Sequence, residues 1–257
     1  KESLIYAPIC THFSSIREVW VREQAVRRKL ESRMAKESLP RTWVHFIAGA
    51  NETTLRPLTT GQSGRLSRYH VQEVVPVRGE APANLAQGWS VVCIETSVPI
   101  SIPVKSLFPS GSSVIQFHGV TQHLQYTSDA QRQELDRRSI SELEPSDHTK
   151  AVLIPIGKSE EWWKLAHDQR QGHFQKTDAR EGHTAIGLNY VDRVFRKLYH
   201  SRYLNVALSY DFLTYFEFKD AYEQDFRTLL AELRDTRGNP EWAYVNLEFE
   251  IWMTKIG

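Results

Sequence analysis

The sequence predicts an α+β protein whose two halves are built from similar elements. Two observations carry this prediction. From Ala151 onward the chain reads as strand, helix, helix, strand, helix, strand, an order typical of a ferredoxin-like unit with helices on one face of an antiparallel sheet. The segment before it holds short β-rich runs separated by stretches containing Gly and Ser. We interpret this first half as a degenerate copy of the same unit.

The first 40 residues are predicted to form a helical extension. Ser15 and Glu18 make a capping-box pattern, and Pro40 ends the helix. Its polar positions are rich in Arg and Lys, which we interpret as a solvated face. The predicted domain boundaries are therefore 1–40 for the extension, 41–149 for the β-rich half and 150–257 for the second half.

The individual elements follow from local patterning. Four segments of the first half are rich in β-branched and aromatic residues, namely Trp43–Ala48, Tyr69–Val77, Ser90–Ser97 and Val114–Val120. A connection with some helix is expected at Leu124–Arg138. The second-half elements are a buried strand at Ala151–Ile156, a helix after Ser159, a second helix from near Arg180, a strand at Ser209–Phe218, a helix at Asp220–Arg234 and a terminal strand of alternating apolar and acidic residues.

Composition narrows the class of protein. The chain has 257 residues, a 40% hydrophobic fraction and a net charge of +1, which fits a globular protein and argues against a nucleic-acid binder. No apolar run reaches the length of about 18 residues that a membrane span needs. Two cysteines exclude a disulfide framework, and Cys93 in an apolar run reads as a buried thiol. We expect a cytoplasmic protein, although a removed N-terminal signal stays open because the chain begins at Lys1.

His183 and Arg196 form the candidate site, and their spacing requires a break in the chain path. On one straight helix, thirteen residues would separate them by about 20 Å and by well over 90° around the axis. Ile186 and Tyr190 keep helical spacing after His183, whereas Val194–Tyr199 is a β-compatible run. If the helix ends near Asp192, the two side chains can face each other across a flat ligand such as haem.

The residue types suit haem chemistry but do not demand it. One histidine ligand leaves the sixth iron position open, and Glu241 is the natural partner for the other imidazole nitrogen. An arginine can hold anionic oxygen species because it keeps its charge. The alternatives remain a buried structural histidine, a surface arginine and a solvated strand end at Glu241. Other histidines are rivals for the ligand role, namely His118, His173 and His200.

Several motifs follow one another in order over Val114–Ile256. They are His118-Gly-Val-Thr, Gln125-Tyr126-Thr127, Leu153-Ile-Pro-Ile-Gly-Lys-Ser-Glu-Glu-Trp-Trp163, Gln169-Arg170, His183-Thr with Tyr190 and Arg196-Lys-Leu-Tyr-His200, Asp211-Phe-Leu-Thr-Tyr-Phe-Glu217, and Glu241-Trp with Tyr244-Val245. In this order and spacing they resemble the shorter, dimeric branch of the chlorite dismutase family. The resemblance implies a dimeric α+β barrel with haem b in the C-terminal half. It implies a homodimer that decomposes chlorite to chloride and dioxygen, or acts on peroxide at the same iron.

Residue roles can be carried over from the resemblance position by position. His183 would be the proximal ligand of the haem iron, Glu241 its hydrogen-bond partner and Arg196 the distal catalytic residue. The remaining candidate cofactor-binding residues are Trp162, Trp163 and the preceding Lys158.

The chain also departs from the family pattern. It has extra residues within Lys176–Gly182, no counterpart of the distal Gln among Ser139–Thr149, and a different link at Arg202–Ser209. A related branch, the coproheme decarboxylases, usually has Gln at position 196 and Tyr at position 150, where this chain has Arg196 and Lys150. The dismutase branch is thus favoured. A haem-binding or sensing module with little turnover, a decarboxylase-like enzyme and a haem-free scaffold remain as alternatives.

Overall fold

Eight antiparallel strands close into a barrel within the part of the chain described by the computed structural model, which comprises residues 42–50, 55, 64–97, 113–121, 128–204 and 210–256. The strands are β1 (Trp43–Gly49), β2 (Arg65–Arg78), β3 (Ser90–Thr96), β4 (Val114–Thr121), β5 (Thr149–Lys158), β6 (Val194–His200), β7 (Phe212–Lys219) and β8 (Val245–Lys255).

The two halves of the barrel have the same strand order. The ring runs β1-β3-β2-β8-β5-β7-β6-β4, so the first half reads β4-β1-β3-β2 and the second reads β8-β5-β7-β6. If the strands are numbered within each half, both orders are 4-1-3-2. The prediction of an α+β fold with two ferredoxin-like halves is confirmed, and the half interpreted as degenerate keeps the full sheet.

The barrel interior is filled by one apolar face of each sheet. Phe46, Phe117, Leu153, Tyr215 and Phe249 are among the buried residues of this core and come from five different strands. Because strand side chains alternate, their neighbours face outward. The alternation predicted for the terminal strand therefore fits the inner face of β8 at Phe249, Ile251 and Met253.

Five helices of the described residues lie on or near the outer face of the second half's sheet. They are α1 (Asp129–Arg138), α2 (Glu160–Lys164), α3 (His167–Phe174), α4 (Gly182–Leu188) and α5 (Glu223–Arg234). Four apolar residues of α5 pack against outward-facing residues of β5 and β7, among them Val152 and Phe216. The outward Glu248 and Glu250 are buried there as well, and Arg234 neutralises them with contacts of 2.6 and 2.5 Å.

The predicted elements match the structure with local differences. The four strands of the first half and the three predicted strands of the second half are confirmed within a few residues. The second predicted helix begins at Gly182 rather than Arg180, and α3 was not predicted because it lacks an apolar stripe. The predicted N-terminal helix and the Val98–Ser112 insertion lie outside the described residues. The domain boundaries stay a prediction.

Cys93 lies in the barrel core, where burial raises the pKa of its thiol well above the usual value. The buried thiol predicted from the sequence is thereby confirmed. Among the helices of the described residues, none has the length and apolar character needed to span a membrane.

Candidate functional site

A cavity of about 790 Å³ lies between the outer face of the second sheet and the helices that cover it. This volume is within the range typical of small-molecule and cofactor sites. The structure brings all the predicted site residues to its lining, namely Lys158, Trp162, Trp163, His183, Arg196 and Glu241. Much of the remaining lining is apolar, including Ile154, Phe174, Leu188 and Phe216.

His183 is placed by a glycine that no other residue can replace without strain. Gly182 opens α4 with φ of +73°, a conformation that side chains with a Cβ rarely adopt. A Cβ at this position would lie 2.5 Å from the carbonyl oxygen of Gln175. The amide of Gly182 also donates to the carbonyl of Gly238 at 3.0 Å. These constraints fix the first turn of α4 and direct the next side chain, His183, to the cavity.

The imidazole of His183 is held by a buried carboxylate. Its Nδ1 lies 2.8 Å from Oε2 of Glu241, and Oε1 of the same carboxylate accepts a hydrogen bond from Nζ of Lys158 at 2.7 Å. Both oxygens of Glu241 are therefore occupied. Because Nδ1 is engaged, Nε2 is the nitrogen of His183 left for a ligand.

His183, Glu241 and Lys158 form a buried triad, and the protonation states of the imidazole and the carboxylate follow from their contacts. Burial alone would raise the pKa of Glu241, but Lys158 and His183 outweigh it and hold the pKa far below its usual value. Burial lowers the pKa of His183, an effect only partly opposed by Glu241. The carboxylate is thus ionised at neutral pH and the imidazole is neutral, the form that binds metals.

Local structure places the other two members of the triad. Glu241 lies in a 3-10 turn at Pro240–Tyr244, and the preceding Asn239 anchors that turn through its side-chain donation to the carbonyl of Leu233 at 2.7 Å. Lys158 is the last residue of β5. Its Nζ lies 4.8 and 5.4 Å from the ring centroids of Trp162 and Trp242, a cation–π arrangement that further holds the ammonium in place.

The chain reverses between His183 and Arg196, as predicted. Helix α4 ends at Leu188, four residues before the predicted end, and a turn follows in which Val194 donates to the carbonyl of Tyr190 at 2.8 Å. Strand β6 then begins at Val194. The alternation of β6 directs Tyr199 into the barrel core, so Arg196 points to the outer face and the cavity.

Arg196 lines the cavity, and its guanidinium has no counter-ion in contact within the described ranges. No hydrogen bond or ion pair joins it to any described residue, and its exposed surface faces the cavity. Burial lowers its pKa, with Glu241 acting in the opposite direction. Arg196 in turn helps to lower the pKa of His183. This mutual influence agrees with both side chains facing one cavity.

Two further arginines lie beside Trp163, and the sequence reasoning did not assign them to the site. The guanidinium carbon of Arg202 is 3.9 Å from a ring centroid of Trp163, and that of Arg170 is 5.9 Å away. Asp211 fixes Arg202 with a contact of 3.0 Å. The indole nitrogen of Trp163 is buried and has no partner among the described residues. The sequence held one pointer to Arg202, since this residue begins the link at Arg202–Ser209 that departs from the family pattern.

The rival histidines have other surroundings. His200 also lines the cavity and packs edge-on against Phe212 at 4.7 Å. His173 packs between Trp162 and Tyr244, with centroid distances of 5.8 and 5.3 Å. His118 contacts the carbonyl of Leu204. None of these three has a carboxylate hydrogen bond like that of His183 among the described residues.

The segment where the distal Gln of the family was sought contributes Ser139 and Ile140 to the cavity, beside Leu135 and Asp136 of α1. No Gln lies among the described residues that line this cavity. Lys150, at the position of the decarboxylase Tyr, does not line the cavity either, since it pairs with Asp220 at 3.2 Å and with Glu223.

The known proteins that this chain resembles in sequence and in structure are chlorite dismutases. Chlorite dismutase from Ideonella dechloratans is 34% identical over 103 residues, which cover 40% of this chain and 33% of that protein. The match thus spans about a third of the length of that curated relative. The crystal structure of the dimeric chlorite dismutase from Nitrobacter winogradskyi is 28% identical and covers 82% of this chain and 99% of that one, with a TM-score of 0.58.

A more distant structure supports the fold alone. A chlorite dismutase variant from Candidatus Nitrospira defluvii, solved in complex with cyanide, is 18% identical and covers 86% of this chain and 92% of that one, with a TM-score of 0.61. The family model described as chlorite dismutase matches residues 104–251, more than half of the chain. This chain belongs to the chlorite dismutase family.

Proposed function

We propose that this protein binds haem b in the cavity and decomposes chlorite to chloride and dioxygen. The observation that carries the proposal is that His183 and Arg196 line the same cavity. The neutral imidazole of His183 is held by a buried carboxylate, and the guanidinium of Arg196, which has no counter-ion among the described residues, lines the same cavity. Family membership supports the same chemistry.

The residues present fit a haem. His183 offers Nε2 to the iron, while donation of its Nδ1 proton to Glu241 fixes the ring orientation and strengthens the ligand. Lys158 shares the carboxylate and moderates this effect. A haem bound through one histidine supplies an iron with an open position for oxygen-atom transfer. The remaining roles belong to the side chains of the chain itself.

Arg196 is proposed to hold the anionic substrate. A guanidinium stays protonated even where burial lowers its pKa, so it can bind an oxyanion but does not serve as a proton donor. Its lack of a counter-ion among the described residues leaves its donors available to chlorite or to an anionic intermediate. In an enclosed site of low dielectric, such a contact stabilises developing negative charge more than it would in water.

The arginines beside Trp163 are proposed to bind the propionate carboxylates of the haem. Arg170 and Arg202 bring two positive charges to this part of the lining, and the buried indole nitrogen of Trp163 adds an unused donor. Haem b carries two propionate carboxylates, which favour arginine partners. Trp162 serves differently, because it packs on Lys158 and supports the triad.

The alternatives are weighed by particular residues. A coproheme decarboxylase-like enzyme is less favoured because Arg196 replaces the usual Gln and because Lys150 is engaged away from the cavity. A haem-binding or sensing module is favoured by one observation, the lack of a Gln among the described lining residues. Peroxide is a second candidate substrate at the same iron. A homodimer and a cytoplasmic location remain part of the proposal.

Oxygen release from chlorite, measured with an oxygen electrode on haem-loaded protein, tests this function. Arg196→Ala is expected to lower the rate by about 10²–10³-fold, the loss typical of removing one stabilising donor, while haem binding is retained. The matched control is Arg193→Ala, which removes a nearby guanidinium that pairs with Asp225 instead of lining the cavity. Haem binding without oxygen release from the unmodified protein would contradict the enzyme and favour the binding module.

A further inference from the structure

Two histidines outside the haem cavity face each other across neighbouring strands. His45 of β1 lies directly opposite His118 of β4 in the strand register. Their ring centroids are 5.6 Å apart, with an angle of 49° between the ring planes. The residues on either side of His45, Val44 and Phe46, belong to the barrel core. The two imidazoles therefore project together from the outer face of the first sheet.

One nitrogen of each ring is already engaged. Nε2 of His118 lies 2.6 Å from the carbonyl oxygen of Leu204. Because a carbonyl only accepts, this nitrogen carries the proton and Nδ1 of His118 keeps a free lone pair. Nδ1 of His45 lies 3.1 Å from Nε2 of the Gln116 side-chain amide. Turning this amide over brings its oxygen to Nδ1 instead, so that Nδ1 donates and Nε2 of His45 keeps its lone pair, the form that a metal ligand requires.

The two remaining nitrogens are buried and unsatisfied. Nε2 of His45 and Nδ1 of His118 have no hydrogen-bond partner among the described residues. An unsatisfied buried polar atom costs about 1–3 kcal/mol. Two such atoms on facing rings indicate a ligand that both rings share.

We propose that His45 and His118 together bind one divalent transition-metal ion of the imidazole-preferring class, for which Cu²⁺ is the probe of highest affinity. A metal–nitrogen bond of about 2.0–2.1 Å, plus roughly 1.1 Å from nitrogen to ring centre, places two ligating rings about 4.5–6.4 Å apart over the usual range of angles. The observed 5.6 Å lies in this range.

The surroundings of the pair fit such a site. His45 is 8% exposed, and burial, with His118 as a lesser cause, lowers its pKa to about 4. Its ring is therefore neutral at pH 7, as a metal ligand must be. His118 is only partly buried, so solvent can reach the site and complete the coordination. No third His, Cys, Asp or Glu within the described ranges joins the pair, which predicts exchangeable rather than permanent binding.

The proposed site is separate from the haem cavity. Neither histidine is among the cavity-lining residues, although Leu204, whose carbonyl fixes His118, is one of them. The metal would therefore not compete with haem for His183. Its binding can be tested whether or not the proposed haem function is correct.

Calorimetric titration of the full chain with Cu²⁺, in the presence of glycine to suppress weak surface binding, tests the proposal. One equivalent of Cu²⁺ is expected to bind, and His45→Gln and His118→Gln should each weaken this event by at least tenfold. The control is His148→Asn, since His148 is an exposed histidine with φ of +52°, which Asn tolerates. Equal copper binding by all four proteins would overturn the proposal.

A second measurement on the unmodified protein guards against variants that fold poorly. Electron paramagnetic resonance of the one-equivalent copper complex is expected to show coupling to two imidazole nitrogens. A copper-soaked crystal should show an anomalous peak between the two rings. Coupling to a single imidazole, or an anomalous map without a peak there, would overturn the shared site.

Discussion

Nδ1 of His183 and Oε2 of Glu241 lie 2.8 Å apart on the outer side of the second sheet, with Glu241 also bound to Lys158. The contact joins the start of α4 to a 3-10 turn 58 residues later in the chain. It fixes which nitrogen of the imidazole faces the cavity, and it places an ionised carboxylate behind that ring. The fold itself thus positions the proposed iron ligand and the carboxylate proposed to tune it.

Glu241→Gln is expected to weaken both the fold and the tuning of the site. The substitution leaves the buried Lys158 without its counter-ion, a change that costs about 3–5 kcal/mol. It also makes the His183 imidazole a weaker donor, so haem affinity should fall about 10–100-fold and the iron reduction potential should rise. Denaturant unfolding and a spectroscopic redox titration measure the two effects.

The double variant Lys158→Met with Glu241→Gln separates charge balance from ligand tuning. It removes both members of the buried ion pair, so much of the lost stability should return while the raised potential remains. An unchanged potential in Glu241→Gln would contradict the role given to the carboxylate.

Gly182→Ala is expected to disturb the position of His183. The new Cβ would meet backbone atoms of Gln175 and Phe174 at 2.5–2.8 Å, and the positive φ would add strain. We expect a loss of stability of about 1–3 kcal/mol together with weaker haem binding. Gly172→Ala is the matched control, because nothing lies within 4 Å of its Cβ position in α3. Equal stability and equal haem binding in the two variants would contradict the claim that Gly182 positions His183.

The haem-free protein is expected to lose stability as the pH falls from about 6.5 to 4. Burial lowers the pKa of both His45 and His200 from 6.5 to about 4. The fold favours their neutral forms, so this stability is fully present above the unfolded pKa and is lost as protons bind preferentially to the unfolded chain. With the His45 ring buried and the His200 ring partly exposed, the loss is on the order of 2 kcal/mol per histidine.

Unfolding in urea with a chelator present, repeated across this pH range, measures the dependence. His45→Gln should reduce the slope, because it removes one of the histidines whose pKa burial lowers. A stability that stays level between pH 6.5 and 4.5 would contradict the burial of these rings.

Much of the fold and part of the site could be predicted from the sequence. The strands were visible because alternating apolar residues such as Phe249 and Ile251 mark an inner face. The break between His183 and Arg196 followed from helix geometry and from the β-compatible run after Val194. These are local signals, which a single sequence carries well.

Other features depend on contacts between distant segments. Arg202 reaches Trp163 only because β6 and α2 meet at the cavity, and Lys158 reaches Glu241 over 83 residues. No periodicity records such contacts. The His45 and His118 pair likewise depends on the register of β1 with β4, which tertiary closure of the barrel sets.

The absorption spectrum during titration with hemin tests the central claim most directly. The unmodified protein should develop a saturable Soret band, and His183→Ala should abolish or shift it. His173→Gln, a nearby histidine that does not line the cavity, should keep the original band. No saturable band in the unmodified protein, or the same band in His183→Ala, would contradict the assignment of His183 as the haem ligand.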